Sequence, residues 1–294
     1  MVKIKKAVIA AAGYGTRFLP ATKVQPKEML PLVDKPIIQY LVEEAVESGI
    51  EDIIIVTRAG AGSLEDHFDS NLELEYALEE DGKNERLEEV KRLQKMANFI
   101  FVRQHRDLPY GNATPLLCVE NLIEEGEGFV YMFGDDLVKA ETPAVKQLID
   151  RFNRNDFKNP KASLAVQEVP QDEVERYATV SIKEGTGNEL EEIREKLPPE
   201  EALSNKAQFG RFILTKRAIR EARKTPPGKG GELWLTDTLN GLARKETVLV
   251  EEIEGKWLTT GDPLRYLKAT VEFALEREDL GEQFRRFLEE VICQ

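Results

Sequence analysis

The chain has 294 residues, of which 54 are acidic and 41 are basic, so its formal charge at neutral pH is -13. This length suffices to bury a sizeable core, and the acidic excess argues against nucleic acid or anionic membranes as partners. The two cysteines lack metal-ligand spacing, and no apolar stretch approaches the roughly 20 residues that cross a membrane, so we expect a cytoplasmic protein.

The first half of the chain alternates predicted strands and helices. Apolar runs at 7–12 and 52–57 indicate buried parallel strands, and helical spacing at 36–47 indicates the helix that connects them. The crossover of this βαβ unit should be right-handed. Further strands are predicted at 99–103 and 129–133, and helical segments at 63–97, 116–123 and 143–154.

The second half has strands separated by polar turns, and it ends in a long helical stretch. No repeat, low-complexity segment or linker separates the two halves. We therefore expect an α/β fold with a mainly parallel, mixed sheet flanked by helices, in a single domain of residues 1–294. The predicted strands are 162–169, 178–182, 209–214 and 248–253, and the predicted helix is 263–291, with Leu264, Leu267, Val271, Phe273 and Leu275 on its apolar face.

A glycine loop, residues 13–27, follows the first predicted strand. Ligands bind at the carboxyl ends of strands in open α/β sheets, and Gly13 and Gly15 allow backbone amides to approach a phosphate closely. Arg17 can hold phosphate oxygens with two hydrogen bonds, and Lys27 can act as a mobile charge. The loop lacks the third glycine of a dinucleotide-binding fingerprint and the Gly-Lys-Ser/Thr of a P-loop. The alternative is an ordinary connection between a strand and a helix.

Two adjacent aspartates, Asp135 and Asp136, follow the predicted strand at 129–133. Their carboxylates should emerge at the same edge of the sheet as the glycine loop. Mg²⁺ prefers hard oxygen ligands, usually one or two carboxylates together with phosphates and water. The pair therefore predicts a magnesium site beside a phosphate loop, and the alternative is a polar turn at the end of a strand.

Residues 13–40, from the glycine loop through Pro-Lys-Glu-Met-Leu-Pro-Leu-Val-Asp-Lys-Pro-Ile-Ile-Gln-Tyr, resemble the signature of the bacterial-type UTP–glucose-1-phosphate uridylyltransferases. That group belongs to the sugar-1-phosphate nucleotidylyltransferases. The resemblance implies a Rossmann-like nucleotidyltransferase fold, Mg²⁺, a homodimer or homotetramer, and conversion of UTP and glucose 1-phosphate to UDP-glucose and pyrophosphate. It covers nearly the whole chain and is strongest at 7–57, 225–239 and 261–275.

The resemblance also implies roles for individual residues. Arg17 and Lys27 are the expected catalytic residues, and Asp135 is the expected metal ligand. Asp136 or Asp262 is the candidate for a further metal ligand. The nucleotide-binding half is expected at about 1–155 and the sugar-binding half at about 156–294. The expected nucleotide-binding residues are Ala11, Ala12, Gly13, Gly15, Thr16, Glu28, Gln104 and Gly111, and the expected sugar-phosphate-binding residues are Ala178, Glu195 and Lys196.

The chain departs from the family pattern at several of these places. Thr259 occupies the position of a second metal-binding aspartate, Ala113 replaces a glycine, and Ala178 replaces a glycine whose absence is expected to narrow the sugar pocket. Gln104 can pair with uracil or thymine, because an amide both donates and accepts. Two alternatives therefore stay open: a thymidylyltransferase or uridylyltransferase for another sugar 1-phosphate, and a catalytically weak regulatory protein that binds nucleotide sugars.

Overall fold

The computed structural model describes residues 2–155 and 158–293 of the chain. Its strands, in chain order, are β1 Ile4–Ala11, β2 Pro31–Leu32, β3 Lys35–Pro36, β4 Asp52–Thr57, β5 Asn98–Arg103, β6 Gly128–Phe133, β7 Asp136–Lys139, β8 Ala162–Glu168, β9 Ala178–Ile182, β10 Leu190–Glu195, β11 Lys206–Thr215, β12 Val248–Glu252 and β13 Lys256–Thr259. Its α-helices are α1 Ile37–Glu47, α2 Gly62–Phe68, α3 Leu72–Glu80, α4 Asn84–Gln94, α5 Thr114–Cys118, α6 Ala144–Arg154, α7 Lys216–Ala222, α8 Leu235–Ala243, α9 Pro263–Leu275 and α10 Gly281–Ile292.

A nine-stranded mixed sheet forms the centre of the fold, as expected from the sequence. Seven of its strands run in the order β10-β9-β11-β6-β1-β4-β5, and β8 pairs with β11 and β12. The strands from the first half, β6, β1, β4 and β5, are parallel to one another. Strand β11 comes from the second half and pairs antiparallel with β6, so that both halves of the chain contribute to one sheet.

The central strands contain apolar runs because helices cover both faces of the sheet. Successive side chains point to opposite faces, and each face has its own core cluster. Ile53 and Ile55 of β4 belong to the cluster under α1 and α6, whereas Ile54 and Val56 belong to the cluster under α7 and α8. All four side chains are fully buried. Burial on both sides explains why these short apolar runs are strands.

The predicted elements agree with the structure where apolar patterning is strong. The predicted bounds of β4 and β9 are those observed, and helix α1 ends at Glu47 before the predicted stop at Gly49. The segment 63–97, predicted to be rich in helix, corresponds to the three helices α2, α3 and α4. Strands β10 and β13 were not predicted, because their sequences, Leu-Glu-Glu-Ile-Arg-Glu and Lys-Trp-Leu-Thr, are largely polar.

The predicted helix at 263–291 is wrong in two respects. It is two helices, α9 and α10, and the side chains of Leu264 and Leu267 are exposed rather than packed on the core. The buried residues of α9 are Ala269 and Ala274, whose small side chains allow the helix to approach its neighbours closely. None of the helices in residues 2–155 and 158–293 has both the length and the apolar character that crossing a membrane requires.

Candidate active site

The register of two neighbouring strands brings the glycine loop and the Asp135 segment together. Strands β1 and β6 are parallel, and Ala10 lies opposite Phe133 near their carboxyl ends. The chain then continues into Gly134, where a side-chain carbon would lie 2.8 Å from the Ala10 carbonyl oxygen and 2.8 Å from Glu28 Cγ. Only glycine fits there without moving the backbone. This close approach places Asp135 directly beside the loop residue Lys27.

A cleft with two adjoining chambers opens at this edge of the sheet. The first chamber has a volume of about 550 Å³ and the second a volume of about 440 Å³. Ala12, Gly13, Gly15, Thr16, Arg17, Lys27, Glu28, Gln104, Gly111, Asp135 and Lys196, all predicted from the sequence, line the first chamber. Arg17, Asp135, Asp136, Glu195, Lys196 and Asp262, also predicted, line the second. The two chambers share seven residues, which are Arg17, Asn112, Phe133, Asp135, Lys196, Trp234 and Gly261.

Lys27 and Asp135 form an ion pair at the junction of the chambers. The Lys27 ammonium donates to Asp135 Oδ2 at 2.5 Å. Burial disfavours the charge of Lys27, but the negative charges of Asp135 and Glu28 outweigh it and raise its pKa above the ordinary value. Burial also opposes ionisation of Asp135, yet Lys27 and Arg17 hold the pKa of this carboxyl below its ordinary value. Both groups are therefore charged at neutral pH.

Glu28 is a buried carboxyl that faces the first chamber without a partner. Its side chain is fully buried, and neither carboxylate oxygen has a hydrogen-bond partner among the residues that the structure describes. Burial raises its pKa to about 7, although the Lys27 ammonium, 3.9 Å away, opposes this rise. Buried polar atoms are normally satisfied, so this orphaned carboxyl is suited to meet a polar group of a ligand.

Gly261 lies close to the side chains of Arg17, Asp135 and Thr259. The Arg17 guanidinium Nη1 donates to the Gly261 carbonyl oxygen at 3.0 Å. A side-chain carbon on Gly261 would lie 3.2 Å from Asp135 Oδ2, 3.5 Å from Thr259 Oγ1 and 3.6 Å from Arg17 Nη1. The end of β13 thus brings the hydroxyl of Thr259 to the side of Asp135, where the resemblance expects a second carboxylate.

The two further candidates for a metal ligand have other partners. Asp136 accepts hydrogen bonds from the backbone N–H of Gly210 at 2.9 Å and from the indole N–H of Trp257 at 2.8 Å. Asp262 caps helix α9 and accepts from the backbone and the guanidinium of Arg265, at 3.1 and 2.8 Å. In this arrangement both carboxylates line the second chamber and also hold neighbouring segments in position.

Asp135, the metal ligand expected from the sequence, lies at the junction of the two chambers. The described residues contain no group of three or more His, Cys, Asp or Glu side chains with the spacing of a metal site. Mg²⁺ is commonly bound by one or two carboxylates, with the remaining ligands supplied by substrate phosphates and water. One carboxylate with an adjacent hydroxyl fits such a site only when phosphate oxygens are present.

Gly111 lets two separate segments meet at the wall of the first chamber. A side-chain carbon at Gly111, where φ is +150°, would collide with the backbone of Leu233. The backbone N–H of Leu233 donates to the Tyr110 carbonyl at 2.8 Å, and the N–H of Ala113 donates to the Leu233 carbonyl at 3.0 Å. This contact brings the next residue, Trp234, into both chambers.

Glu195 and Lys196 reach the cleft from the end of strand β10. Lys196 has a left-handed backbone, with φ of 48°, and its N–H donates to the Tyr177 carbonyl at 3.0 Å. A non-glycine residue in this conformation costs of order 1–3 kcal/mol and persists where its surroundings hold it, often in functional sites. Burial raises the pKa of Glu195, and the charge of Lys196 partly offsets this rise.

Three alanines named from the sequence lie outside the lining of the cleft. Ala11 pairs with Thr57 at the end of β1, and Ala178 pairs with Glu195 and Gln208 inside the sheet. The side chains of Ala178 and Ala113 are buried in the core cluster under α7 and α8. The methyl group of Ala178 therefore does not narrow the second chamber, contrary to the expectation from the sequence.

Several lining residues were missed by the sequence analysis. Tyr14 and Tyr110 line the first chamber, and Arg176, Tyr177 and Arg265 line the second. Both tryptophans of the chain also line the cleft, Trp257 in the second chamber and Trp234 in both. The available signal was a rare, large aromatic residue in a polar segment, but that pattern alone does not distinguish a binding site from a core position.

Comparisons with known proteins place the chain among nucleotide-transferring enzymes. The family model described as nucleotidyl transferase matches residues 6–276. A UTP–glucose-1-phosphate uridylyltransferase of Bacillus subtilis is 43% identical over 291 residues, which are 98% of this chain and 97% of the relative. A UTP-bound structure of the enzyme from Acinetobacter baumannii is 36% identical, with a TM-score of 0.87, and covers 98% of this chain and 99% of its own. A UDP-glucose pyrophosphorylase in complex with UDP-glucose is 35% identical, with a TM-score of 0.81, and covers 94% and 100%.

Proposed function

The chain belongs to the nucleotidyl transferase family and, within it, to the bacterial UTP–glucose-1-phosphate uridylyltransferases, and from this premise we propose that it converts UTP and glucose 1-phosphate to UDP-glucose and pyrophosphate. The observation that carries this proposal is that the two chambers meet at Arg17, Asp135 and Lys196. A nucleotide in the first chamber and a sugar phosphate in the second would bring their phosphates together at these charged side chains.

The first chamber has the groups that a uridine nucleotide needs. The amide of Gln104 can both donate to and accept from a pyrimidine edge. Gly13 and Gly15 expose the backbone of the loop to the chamber, where amide groups can approach phosphate oxygens closely. Arg17 and Lys27 supply positive charge at the junction, so the triphosphate would extend from Gln104 toward Asp135.

The second chamber supplies a cation for the sugar phosphate and acceptors for its hydroxyl groups. Lys196 lies in both chambers and would neutralise the phosphate of glucose 1-phosphate. Glu195 faces the second chamber and would accept hydrogen bonds from sugar hydroxyls. The left-handed backbone at Lys196 turns the chain immediately after Glu195, so that the two neighbouring side chains can serve the same substrate.

The reaction we propose is a direct displacement. An oxygen of the sugar phosphate attacks the α-phosphorus of UTP, a new P–O bond forms, and the bond to the β-phosphate oxygen breaks as pyrophosphate leaves. The nucleophile is already an anion, so no general base is required. Catalysis therefore rests on positioning the two substrates and on the positive charges of Arg17 and Lys27, which stabilise the leaving pyrophosphate.

We propose Mg²⁺ as the metal, held by Asp135 together with substrate phosphates and with the Thr259 hydroxyl alongside. When bound, Mg²⁺ would neutralise negative charge on the phosphates. The Lys27 ammonium donates to the Asp135 carboxylate. In this scheme a bound triphosphate would attract the Lys27 ammonium away from Asp135. The Asp135 carboxylate could then hold Mg²⁺ together with the phosphates of the nucleotide.

We further propose a cytoplasmic homodimer or homotetramer. Both cysteines are free thiols, which suits a reducing compartment. Helix α10 exposes apolar side chains on its outer surface, including Phe287 and Val291, and an assembly of identical subunits would cover them. Size-exclusion chromatography with light scattering tests this part of the proposal, and a monomer at micromolar concentration would contradict it.

The proposed reaction is tested by incubating the protein with Mg²⁺, UTP and glucose 1-phosphate and measuring pyrophosphate release. We expect rapid release and a UDP-glucose product. Parallel reactions with dTTP and with other sugar 1-phosphates distinguish the thymidylyltransferase and the other sugar specificities. Binding of UDP-glucose without pyrophosphate release from any of these substrates would support the regulatory protein instead.

A further inference from the structure

Two exposed tyrosines form a stacked pair at the mouth of the first chamber. The side chain of Tyr14 is 61% exposed and that of Tyr110 is 45% exposed. Their ring centroids are 5.8 Å apart, and the ring planes are inclined by 22°. Tyr14 belongs to the glycine loop after β1, whereas Tyr110 lies between β5 and α5, so the pair joins two segments that are far apart in the sequence and both line the chamber.

Both tyrosines make further contacts with the surrounding segments. The Tyr110 carbonyl accepts from the N–H of Leu233 at 2.8 Å, which fixes its backbone beside Gly111. The Tyr110 hydroxyl lies 3.9 Å from the place that a side-chain carbon on Gly13 would take. The guanidinium of Arg58 lies over the Tyr14 ring, 5.6 Å from its centroid. These contacts place the tyrosine pair beside the glycine loop.

The position of the pair suits contact with a nucleobase. Both rings line the same chamber as Gln104, whose amide is the proposed reader of the pyrimidine edge. An edge-on hydrogen bond leaves the two faces of the base uncovered, and an aromatic ring that covers one face adds to the affinity for the nucleotide. Exposed aromatic rings in the free protein gain the most from such contact, because they have apolar surface still to bury.

We propose that Tyr14 and Tyr110 are nucleotide-binding residues that cover the base and ribose of the bound nucleotide. This inference rests on the proposed function and adds to it a second mode of recognition. Gln104 forms hydrogen bonds with the edge of the base, whereas the tyrosine pair packs on the face of the base and does not distinguish one base from another. The pair therefore contributes affinity for the nucleoside part and none for the phosphates.

The experiment is isothermal titration of wild type, Tyr14→Ala, Tyr110→Ala and the double variant with UTP and with inorganic tripolyphosphate. We expect each single variant to weaken UTP binding by about fivefold or more, while the affinity for tripolyphosphate stays within twofold. The double variant should lose less than the product of the two single effects, because the rings contact each other. Tyr14→Phe and Tyr110→Phe should retain wild-type affinity.

The matched control is Tyr76→Ala on helix α3, where the tyrosine is 64% exposed and lines neither chamber. It should leave UTP binding unchanged. Unchanged UTP affinity in Tyr14→Ala and Tyr110→Ala would overturn the inference, as would an equal loss for tripolyphosphate, which would indicate a disturbed loop. If these results overturn the inference but the wild type releases pyrophosphate, the proposed function still stands. A wild type that binds no UTP would overturn both the inference and the proposed function.

Discussion

At the scale of single residues, the pairing of Lys27 with Asp135 sets the charges that a substrate meets. We expect Lys27→Met to lower kcat by at least about 100-fold, because the variant removes a cation beside the departing pyrophosphate. The measurement is steady-state pyrophosphate release. Lys23→Met is the matched control, since Lys23 is an exposed lysine of the same loop that lines neither chamber, and it should keep its activity. Equal losses in the two variants would contradict a specific role for Lys27.

Glu28 links the site to a pH-dependent stability. Its pKa in the folded protein is about 7, above the ordinary value of 4.5, so the folded state keeps this proton over a range in which the unfolded state loses it. The contribution of Glu28 to stability is therefore fully present below pH 4.5 and is lost as the pH rises toward 7. As the pH rises between these values, we expect the unfolding free energy of Glu28→Gln to increase by roughly 1–3 kcal/mol relative to that of wild type.

Urea denaturation at pH 5 and pH 8 measures this difference. Glu175→Gln provides the control, because Glu175 is an exposed residue outside the cleft and should show no comparable change. A stability difference between Glu28→Gln and wild type that is the same at both pH values would contradict a raised pKa for Glu28.

The sequence predicted much of the site because loop residues and strand ends have their own local chemistry. Gly13 and Asp135 come shortly after apolar strands, and Arg17 and Lys27 belong to the loop that follows the first strand, so their convergence could be expected from parallel strands. The contacts of the carboxylates with distant parts of the chain could not be expected. Asp136 is held by Trp257, 121 positions away, and sequence spacing contains no record of such a contact.

At the scale of elements, a buried ion pair joins α1 to the strands beside the site. Arg211 of β11 is fully buried and donates from Nε and Nη2 to the two carboxylate oxygens of Glu44, at 2.9 and 2.5 Å. The same guanidinium donates to the Asp136 carbonyl at 2.8 Å, and Glu44 accepts from the N–H of Val145 at the start of α6. The pair thus fixes β7, the strand that follows Asp135.

We expect Arg211→Met to cost about 3–5 kcal/mol of unfolding free energy, because it leaves the Glu44 carboxylate buried without its partner. The double variant Glu44→Met/Arg211→Met should recover most of this loss, since both charges are then gone. Chemical denaturation measures the unfolding free energies. Arg217→Met, at an exposed arginine of α7, should change stability by no more than about 0.5 kcal/mol. If Arg211→Met were as stable as Arg217→Met, the proposed importance of the buried ion pair would be contradicted.

Sequence patterning located the strands that have apolar runs, including the half-buried β5, and missed strands with largely polar sequences. Strand β4 reads as a continuous apolar run because the two core clusters take alternate side chains from it. Four of the six residues of strand β10 are charged, and this strand lies at one end of the strand order, whereas β13 pairs with β7 in a separate two-stranded sheet. The exposed leucines of α9 show a further limit, because apolar periodicity does not reveal which face a neighbour covers.

At the scale of the whole molecule, the shared sheet ties the two halves of the chain together. Strand β11 pairs with β6 through five residue pairs, and both core clusters contain residues of both halves. We therefore propose that residues 1–294 unfold as a single domain. Far-UV circular dichroism and tryptophan fluorescence should give coincident urea transitions, because both tryptophans lie in the second half while the dichroism reports on the whole chain. Two separated transitions would contradict the single domain.

The central claim is that nucleotide and sugar phosphate react where the two chambers meet at Asp135. The measurement that tests it most directly is pyrophosphate release from UTP and glucose 1-phosphate by wild type and by Asp135→Asn, with UTP affinity measured in parallel. We predict rapid release by the wild type, and a loss of at least about 100-fold in Asp135→Asn while the variant still binds UTP. Unchanged turnover in Asp135→Asn would contradict the claim.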